Sequence, residues 1–155
     1  MTKAADLPKA NVTIITLGVD DLAASTAFYE RLGWANTTAS QDSVTFLDGH
    51  SIVLGLYGRA ALAEDAQVED TPVGFRGVPL AFNLSDRAEV DTFFAHALAS
   101  GASKVKAPEE VFWGGYSGYF ADLDGHLWEI AHNPFAPLDE GSRMQLEAKP
   151  LEEKT

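Results

Sequence analysis

The stretch YFADLDGHLWEIAHNP, from Tyr119 to Pro134, decides the fold of this chain. Two apolar runs flank an acidic segment that contains glycine, and this pattern predicts a strand, a tight turn and a second strand. One charged residue, Glu129, lies in the middle of the apolar second strand. Because a buried carboxylate must be paired or protonated, Glu129 is the first candidate functional residue.

The composition is that of a folded protein with an acidic surface. The 155 residues are 46% hydrophobic, which is enough for a core. The net charge of -12 argues against a nucleic-acid partner, because phosphates would be repelled. Cysteine is absent, which excludes disulfides and cysteine metal sites. No apolar run predicts a membrane span and no secretion signal is evident, so we expect a cytoplasmic protein without a membrane partner.

The second half of the chain predicts the order β-α-β-β-β. A strand at 79–84 precedes a helix at 85–101, in which Asp86 and Glu89 have the spacing of a capping box. A short strand is predicted at 103–107, before the hairpin.

The first half predicts a similar order. Val12–Val19 is rich in β-branched residues and predicts a strand, and residues 20–33 predict a helix that ends at Gly33. A hairpin is centred on Asp48, which precedes a glycine, and a further short strand is indicated near 35–39. The patterns divide the chain into an N-terminal tail at 1–11, a first module at 12–58, a linker at 59–77, a second module at 78–135 and a C-terminal tail at 136–155.

The two halves look like copies of one unit. The segment FLDGH at 46–50 echoes FADLDGH at 120–126, and Phe28-Tyr29 matches Phe93-Phe94 at the same offset from the preceding strands. Each half has one helix to cover one face of a small sheet, so the other face must pair. We expect a curved sheet that encloses a cleft for a small ligand.

Two motifs carry a family resemblance, ITLGVDDLAASTAFYERLGW at 15–34 and YFADLDGHLWEIAHNP at 119–134. The chain resembles the glyoxalase, bleomycin-resistance and extradiol-dioxygenase superfamily, also called vicinal oxygen chelate proteins. The resemblance implies an α+β fold of two paired βαβββ modules, forming a curved, mostly antiparallel sheet around a cleft with helices on the outer face. It also implies a homodimer and, in the metal-dependent members, one divalent ion in the cleft.

The metal positions that the resemblance implies are largely without donors. They correspond here to Ile14, to Gly55 (or Leu54 if the register shifts by one), to Pro79 and to Glu129. A divalent ion needs several protein donors, so we predict no metal site and no cofactor. Four histidines remain as outside candidates: His50 and His126 at hairpin turns, His96 on a helix, and His132 on the strand face opposite Glu129.

Three hypotheses for Glu129 stay open. It binds a cationic or hydrogen-bonding group of a ligand, acts as a general base with a raised pKa, or has no role and is paired with Arg76, Tyr119 or water. By strand alternation Glu129 faces the cleft, while Trp128 and Ile130 face the helices.

The other predicted ligand-binding residues are mostly aromatic or apolar. Tyr119 is expected to face the cleft, and Phe112 and Trp113 precede a Gly-Gly pair that indicates a loop at its mouth. The alternative for Phe112 and Trp113 is core filling or dimer contact. From the first module we expect Ile14, Thr16 and Tyr57 to line the cleft.

The sequence thus predicts a small-molecule-binding protein of the glyoxalase/bleomycin-resistance type, which sequesters an aromatic or antibiotic-like compound without a metal. The alternative is a lyase, isomerase or dioxygenase that uses Glu129 with an atypical metal site. A third hypothesis is a structural dimeric module without a ligand.

Overall fold

The computed structural model describes residues 8, 12–71 and 74–147. The chain divides into two units. The first unit extends to Thr26 and resumes from Trp34 to Asp70, and the second contains residues 27–33 and the chain from Thr71 onward. The last residues of the first helix are therefore part of the second unit.

The first unit is built on a four-stranded sheet in the order β1-β4-β3-β2. Strands β1 and β4 are parallel, and the other neighbours are antiparallel. Its core is formed by Leu17, Val19, Leu47, Leu54 and Leu56, all buried. The elements of the first half are β1 (Ile14–Val19), α1 (Leu22–Arg31), β2 (Ala35–Asn36), β3 (Val44–Asp48), β4 (Val53–Gly58) and α2 (Arg59–Asp65).

The second unit repeats this arrangement with a sheet in the order β5-β8-β7-β6, of which β5 and β8 are the parallel pair. Helix α3 packs against β6, β7 and β8. The buried ring of Phe120 stacks on Trp128 at 6.5 Å between ring centroids. The elements of the second half are β5 (Leu80–Asn83), α3 (Arg87–Ala99), β6 (Ser103–Glu110), β7 (Tyr116–Ala121) and β8 (Leu127–His132).

The helix ends follow local chemistry. The Asp86 side chain accepts a hydrogen bond from the Glu89 amide at 2.8 Å, which confirms the first bond of the predicted capping box. Glu89 Oε2 accepts its bond from the Ser85 amide at 2.9 Å, one residue before the amide that a capping box uses. After α1, Gly33 has a φ of 100°, a left-handed conformation that glycine adopts without strain.

The predicted fold class is confirmed, with two β-α-β-β-β modules in an α+β protein. Two details extend the sequence prediction. The linker, for which the sequence indicates one helical turn, contains the seven-residue helix α2, and β6 is an eight-residue strand that continues past the predicted short segment. The exact domain boundaries, the closing of the modules around a cleft and the homodimer stay predictions. Within the described part of the chain, no helix is both long and apolar enough to cross a membrane.

Candidate functional site

A row of side chains crosses the sheet of the second unit. Strand register places Ala81 beside Glu129, Glu129 beside Tyr119, and Tyr119 beside Lys106. Directly opposed residues on neighbouring strands project from the same sheet face, so these four side chains share one face. Glu129 and Tyr119 are half-buried, whereas Ala81 and Lys106 are exposed.

The opposite face of this sheet is the one that packs against the helices. Trp128 and Ile130 are buried there on either side of Glu129. The Trp128 ring lies 6.0 Å from the Tyr29 ring of α1, measured between centroids. The prediction that Trp128 and Ile130 face the helices, and that Glu129 points away from them, agrees with this packing.

Glu129 and Tyr119 lie directly opposite each other on the neighbouring strands β8 and β7. Burial raises the pKa of the Tyr119 phenol, and the negative charge of Glu129 raises it further. The positive charge of Lys106 acts in the opposite direction. Lys106 is itself paired with Glu109, at 3.1 Å from Nζ to Oε1. The pair therefore places a carboxylate that accepts hydrogen bonds beside a phenol that holds its proton.

Of the three partners that the sequence suggested for Glu129, Tyr119 is the one that lies directly opposite it in the strand register. Arg76, another of them, donates instead to the backbone oxygen of Thr71 at 2.8 Å. The predicted site is unchanged by this finding, because Tyr119 was also expected on the same sheet face as Glu129.

In the first unit the position equivalent to Glu129 is Gly55. It lies between Thr16 of β1 and Phe46 of β3, as Glu129 lies between Ala81 and Tyr119. The pairs that end the two hairpins, Asp48 with Val53 and Ala121 with Leu127, lie two residues before Gly55 and Glu129, which favours Gly55 over Leu54.

The same comparison places Ile14 and Pro79 at equivalent positions, each two residues before the neighbour of Gly55 or Glu129. Ile14, Gly55 and Pro79 offer no oxygen or nitrogen side-chain donor. Only the Glu129 carboxylate remains, so these residues do not fit the divalent ion that metal-dependent members of such a fold would hold.

The first-unit residues predicted to line a cleft differ in exposure. Ile14 is 47% exposed, Thr16 is also exposed, and Tyr57 is half-buried. Ile14 pairs with Val53, and Tyr57 lies beside Gly18. Their participation in a common site with Glu129 stays a prediction.

The predicted aromatic loop is a tight turn between β6 and β7. The Val111 amide donates to the Gly115 oxygen at 3.0 Å, and the Gly114 amide donates to the Val111 oxygen at 2.9 Å. Trp113 lies over Gly115, where an added Cβ would meet its ring at 1.8 Å. Phe112 is fully exposed, so of the two alternatives for this residue core filling is wrong for the described chain.

A second polar group, of which the sequence reasoning named only His126, lies at the turn between β7 and β8. Among the residues described, Asp122, Asp124 and His126 are the one set of acids and histidines close enough to bind a metal ion together. The DLDGH segment could have indicated this group, since Asp122 precedes the turn and His126 ends it.

The contacts of Asp122 already use both of its oxygens. Oδ1 accepts the amides of Asp124 and His126 at 3.0 and 2.8 Å. Oδ2 accepts the Tyr29 hydroxyl at 2.5 Å and lies 2.8 Å from Nδ1 of His126. Asp122 is 3% exposed and Tyr29 fully buried, and burial raises the pKa of the Tyr29 phenol well above 10.0, with the charge of Asp122 adding to the effect. This group holds the turn together.

The remaining histidines make local contacts. His96 Nε2 lies 2.6 Å from the backbone oxygen of Arg31, and His132 Nδ1 lies 3.1 Å from that of Leu84. His50 occupies the turn after β3 with a positive φ of 71°. None of these described contacts brings a histidine to Glu129.

A groove of about 650 Å³ opens elsewhere, beside the start of α3. Its walls come from the end of β5, from the first turns of α3 and from two residues of the C-terminal segment, Leu138 and Ser142. Glu129 and Tyr119 do not line this groove, so it is separate from the row of side chains on the second sheet.

The chain is an α+β protein of two β-α-β-β-β modules, with a carboxylate and a phenol side by side on the second sheet, on the face that points away from the helices. It belongs to the Glyoxalase/Bleomycin resistance protein/Dioxygenase superfamily, whose family model matches residues 11–130. The predicted resemblance is therefore confirmed.

Solved structures share this fold. A glyoxalase-related enzyme from Fulvimarina pelagi is 34% identical with a TM-score of 0.79, and the match covers 89% of this chain and 99% of that one. A glyoxalase/bleomycin resistance protein/dioxygenase from Nocardioides is 26% identical with a TM-score of 0.69, covering 91% and 92% of the two chains.

The similarity to curated proteins is partial. An uncharacterized protein of Mycobacterium tuberculosis is 38% identical over 60 residues, which is 39% of this chain and 35% of that protein. The match therefore spans about a third of the length of that relative.

Proposed function

We propose that this chain is a small-molecule-binding protein of the glyoxalase/bleomycin-resistance type, which holds an aromatic or antibiotic-like compound without a metal ion. The observation that carries the proposal is that Ile14, Gly55 and Pro79 offer no donor side chain, while the Glu129 carboxylate lies beside Tyr119. A single carboxylate binds a divalent ion weakly, but it remains a good anchor for an organic group.

The surroundings of Glu129 support binding of an organic molecule. The half-buried Leu127 precedes it on the same face of β8, and the exposed Ala81 lies beside it on β5. Apolar surface with a few polar groups is the usual lining of small-molecule sites. The Tyr119 ring adds aromatic area to this face.

The first experiment measures metal content and ligand binding on the same protein. Tag-free protein is analysed for transition metals, and aromatic compounds are titrated with backbone amide NMR before and after exhaustive chelation. We expect metal well below one ion per chain, and amide shifts centred on β7 and β8 that persist after chelation. One stoichiometric metal ion per chain, or ligand shifts that vanish with the chelator, would contradict the proposal.

An enzymatic function is the second candidate, and the similarity to a glyoxalase-related enzyme at 34% identity favours it. In that case Glu129 acts as a base or as one ligand of an atypical metal site, and the chain is a lyase, isomerase or dioxygenase. The Glu129→Gln variant separates the two functions, because an enzyme loses turnover whereas a binder has none to lose.

We also propose that the chain forms a homodimer in the cytoplasm. The open sheet faces and the exposed Phe112 are the features that favour a second copy. Sedimentation equilibrium over a range of concentrations tests the dimer, and a monomer at all of them would exclude it.

A further inference from the structure

The segment that follows β8 contains a hairpin that is closed by its own hydrogen bonds. The Asp139 amide donates to the Arg143 oxygen at 2.9 Å, and the Gln145 amide donates to the Pro137 oxygen at 3.0 Å. Asp139 Oδ1 also accepts the Arg143 amide at 2.9 Å. These bonds all lie within residues 137–145, which we call the C-terminal hairpin, so this segment keeps its shape through its own contacts.

Few contacts hold the C-terminal hairpin to the rest of the second unit. Within the part of the chain that the structure describes, no hydrogen bond or ion pair joins it to β5 or to α3. Leu138 is half-buried, whereas Pro137 and residues 139–145 are exposed. Ala136, which precedes the hairpin, is 4% exposed and fixes the chain at that point. The hairpin is therefore attached mainly through the Leu138 side chain.

The C-terminal hairpin forms one wall of the groove beside α3. Leu138 and Ser142 line the groove from the hairpin, and its α3 side includes the half-buried Phe93 and the exposed Thr92 and His96. A segment with few buried contacts and exposed backbone hydrogen bonds opens at a low cost in free energy. A displacement of the hairpin therefore changes the width of this groove of about 650 Å³.

We propose that the C-terminal hairpin is a hinged flap, which moves as one body and opens and closes the groove beside α3. The hinge lies between Ala136, which stays with the second unit, and Leu138, which moves with the flap. Opening widens the groove and gives small molecules access to its apolar wall, which includes Leu84 and Phe93. Half burial of one leucine gives only part of the stabilisation that full burial gives, so the open form is populated at about 1–10%.

This inference goes beyond the proposed function, because Glu129 and Tyr119 do not line the groove. Relaxation-dispersion NMR on the full chain labelled with ¹⁵N measures the motion, since it detects exchange between microseconds and milliseconds. We expect the amides of residues 138–145 and those of Thr92, Phe93 and His96 to exchange at one common rate, with a minor population of about 1–10%. The amides of β7 and β8 should show no exchange at this rate.

Two leucine variants test the attachment of the flap. Leu138→Ala removes most of the half-buried side chain and should raise the open population about 5-fold. Leu146→Ala makes the same change at a leucine that is 74% exposed, just past the hairpin, and should leave the population unchanged. Unchanged amide positions in β7 and β8 show that both variants fold, and the wild-type measurement is decisive by itself if one does not.

A third variant tests whether the hairpin moves as one body. Asp139→Ala removes the carboxylate that accepts the Gly141 and Arg143 amides. The amides of residues 138–145 should then lose their common rate, while those of β7 and β8 stay as in the wild type.

Several results would overturn the flap. They are an absence of exchange in the wild-type hairpin, independent nanosecond motion of its residues, exchange that does not extend to the α3 side of the groove, or equal effects of Leu138→Ala and Leu146→Ala. A common rate that survives in Asp139→Ala would contradict the role of the internal bonds. None of these results decides the proposed function, which the metal analysis and the ligand titrations test separately.

Discussion

The Tyr29 hydroxyl donates a 2.5 Å hydrogen bond to Asp122 Oδ2, which lies 93 residues further along the chain. The same hydroxyl accepts a hydrogen bond from Nε1 of Trp128 at 3.1 Å. Tyr29 is on the last turns of α1, and Asp122 opens the turn between β7 and β8. A buried polar group of this kind is costly to leave without partners, so this contact fixes the end of α1 on the second module.

Replacement of Tyr29 by phenylalanine should destabilise the protein. The variant removes one donor to the buried Asp122 carboxylate and one acceptor for Trp128, for a cost of about 1–3 kcal/mol. The free energy of unfolding by urea measures it. The control is Tyr116→Phe, which removes a hydroxyl that donates to exposed Asp91 at 2.6 Å and should cost less than about 1 kcal/mol. An equal decrease in the free energy of unfolding of the two variants would show that the buried contact stabilises the fold no more than the exposed one.

The pH dependence of the free energy of unfolding should reflect the ionisation of the Asp122 carboxyl. Burial by itself would raise the pKa of this carboxyl, but the hydrogen bonds from His126 and Tyr29 and the charge of His126 together hold it below the ordinary 3.8. A carboxyl with a lower pKa in the folded state stabilises the fold above its unfolded pKa, and this stabilisation is lost as the pH falls through the folded pKa.

The wild-type free energy of unfolding should therefore decrease as the pH is lowered through and below 3.8. The Asp122→Asn variant should be less stable at neutral pH and show a shallower decrease in acid. Asp42→Asn, which removes an exposed acid, serves as the control and should keep the wild-type slope. An unchanged slope in Asp122→Asn would exclude this carboxyl as a source of the acid sensitivity.

The sequence predicted the faces of β8 well, because strand alternation is a strictly local rule. Period-two alternation alone places Glu129 opposite Trp128 and Ile130, and the burial of residues 127–130 follows it, although Ala131 is buried too. The bond from the Glu89 amide to the Asp86 side chain was predictable for the same reason, since it depends on residues three apart.

The Tyr29–Asp122 contact could not be predicted from such local rules. Local patterns assign α1 to the first half of the chain, yet its last residues, with Phe28 and Tyr29, are part of the second unit. A contact across 93 residues depends on how the elements pack, and no local spacing encodes it. The strand β6 was predicted only for residues 103–107, and its full length and its register shifts on both sides of Lys106 were missed, because they come from pairing with β7.

The pKa of Tyr119 should respond in opposite directions to its two charged neighbours. Glu129→Gln removes a negative charge and should lower the pKa of the phenol, whereas Lys106→Met removes a positive charge and should raise it. Titration of the tyrosine ring carbons by NMR measures both, with the Tyr119 signal assigned through Tyr119→Phe. Glu140→Gln should leave the pKa of Tyr119 unchanged. A pKa of Tyr119 that moves in the same direction in Glu129→Gln and Lys106→Met would contradict the placement of Tyr119 between these two charges.

Gly118 is the position where an added methyl group should do most harm to this sheet. A Cβ there would lie 2.7 Å from the Pro108 backbone nitrogen and 2.8 Å from the Lys106 backbone oxygen. Both atoms are part of the irregular stretch of β6, so the strand would have to move. Gly118→Ala should therefore lower the free energy of unfolding by about 1–3 kcal/mol.

The matched control for this prediction is Gly74→Ala, because a Cβ at Gly74 would have no neighbour within 4 Å. Its effect should stay within about 0.5 kcal/mol. Urea midpoints at an unchanged m-value measure both variants, since a constant m-value shows that the surface exposed on unfolding is the same. Comparable stability of Gly118→Ala and the wild type would mean that β6 accommodates the methyl group, and that the close approach of Lys106 and Pro108 to β7 is not a fixed feature of the sheet.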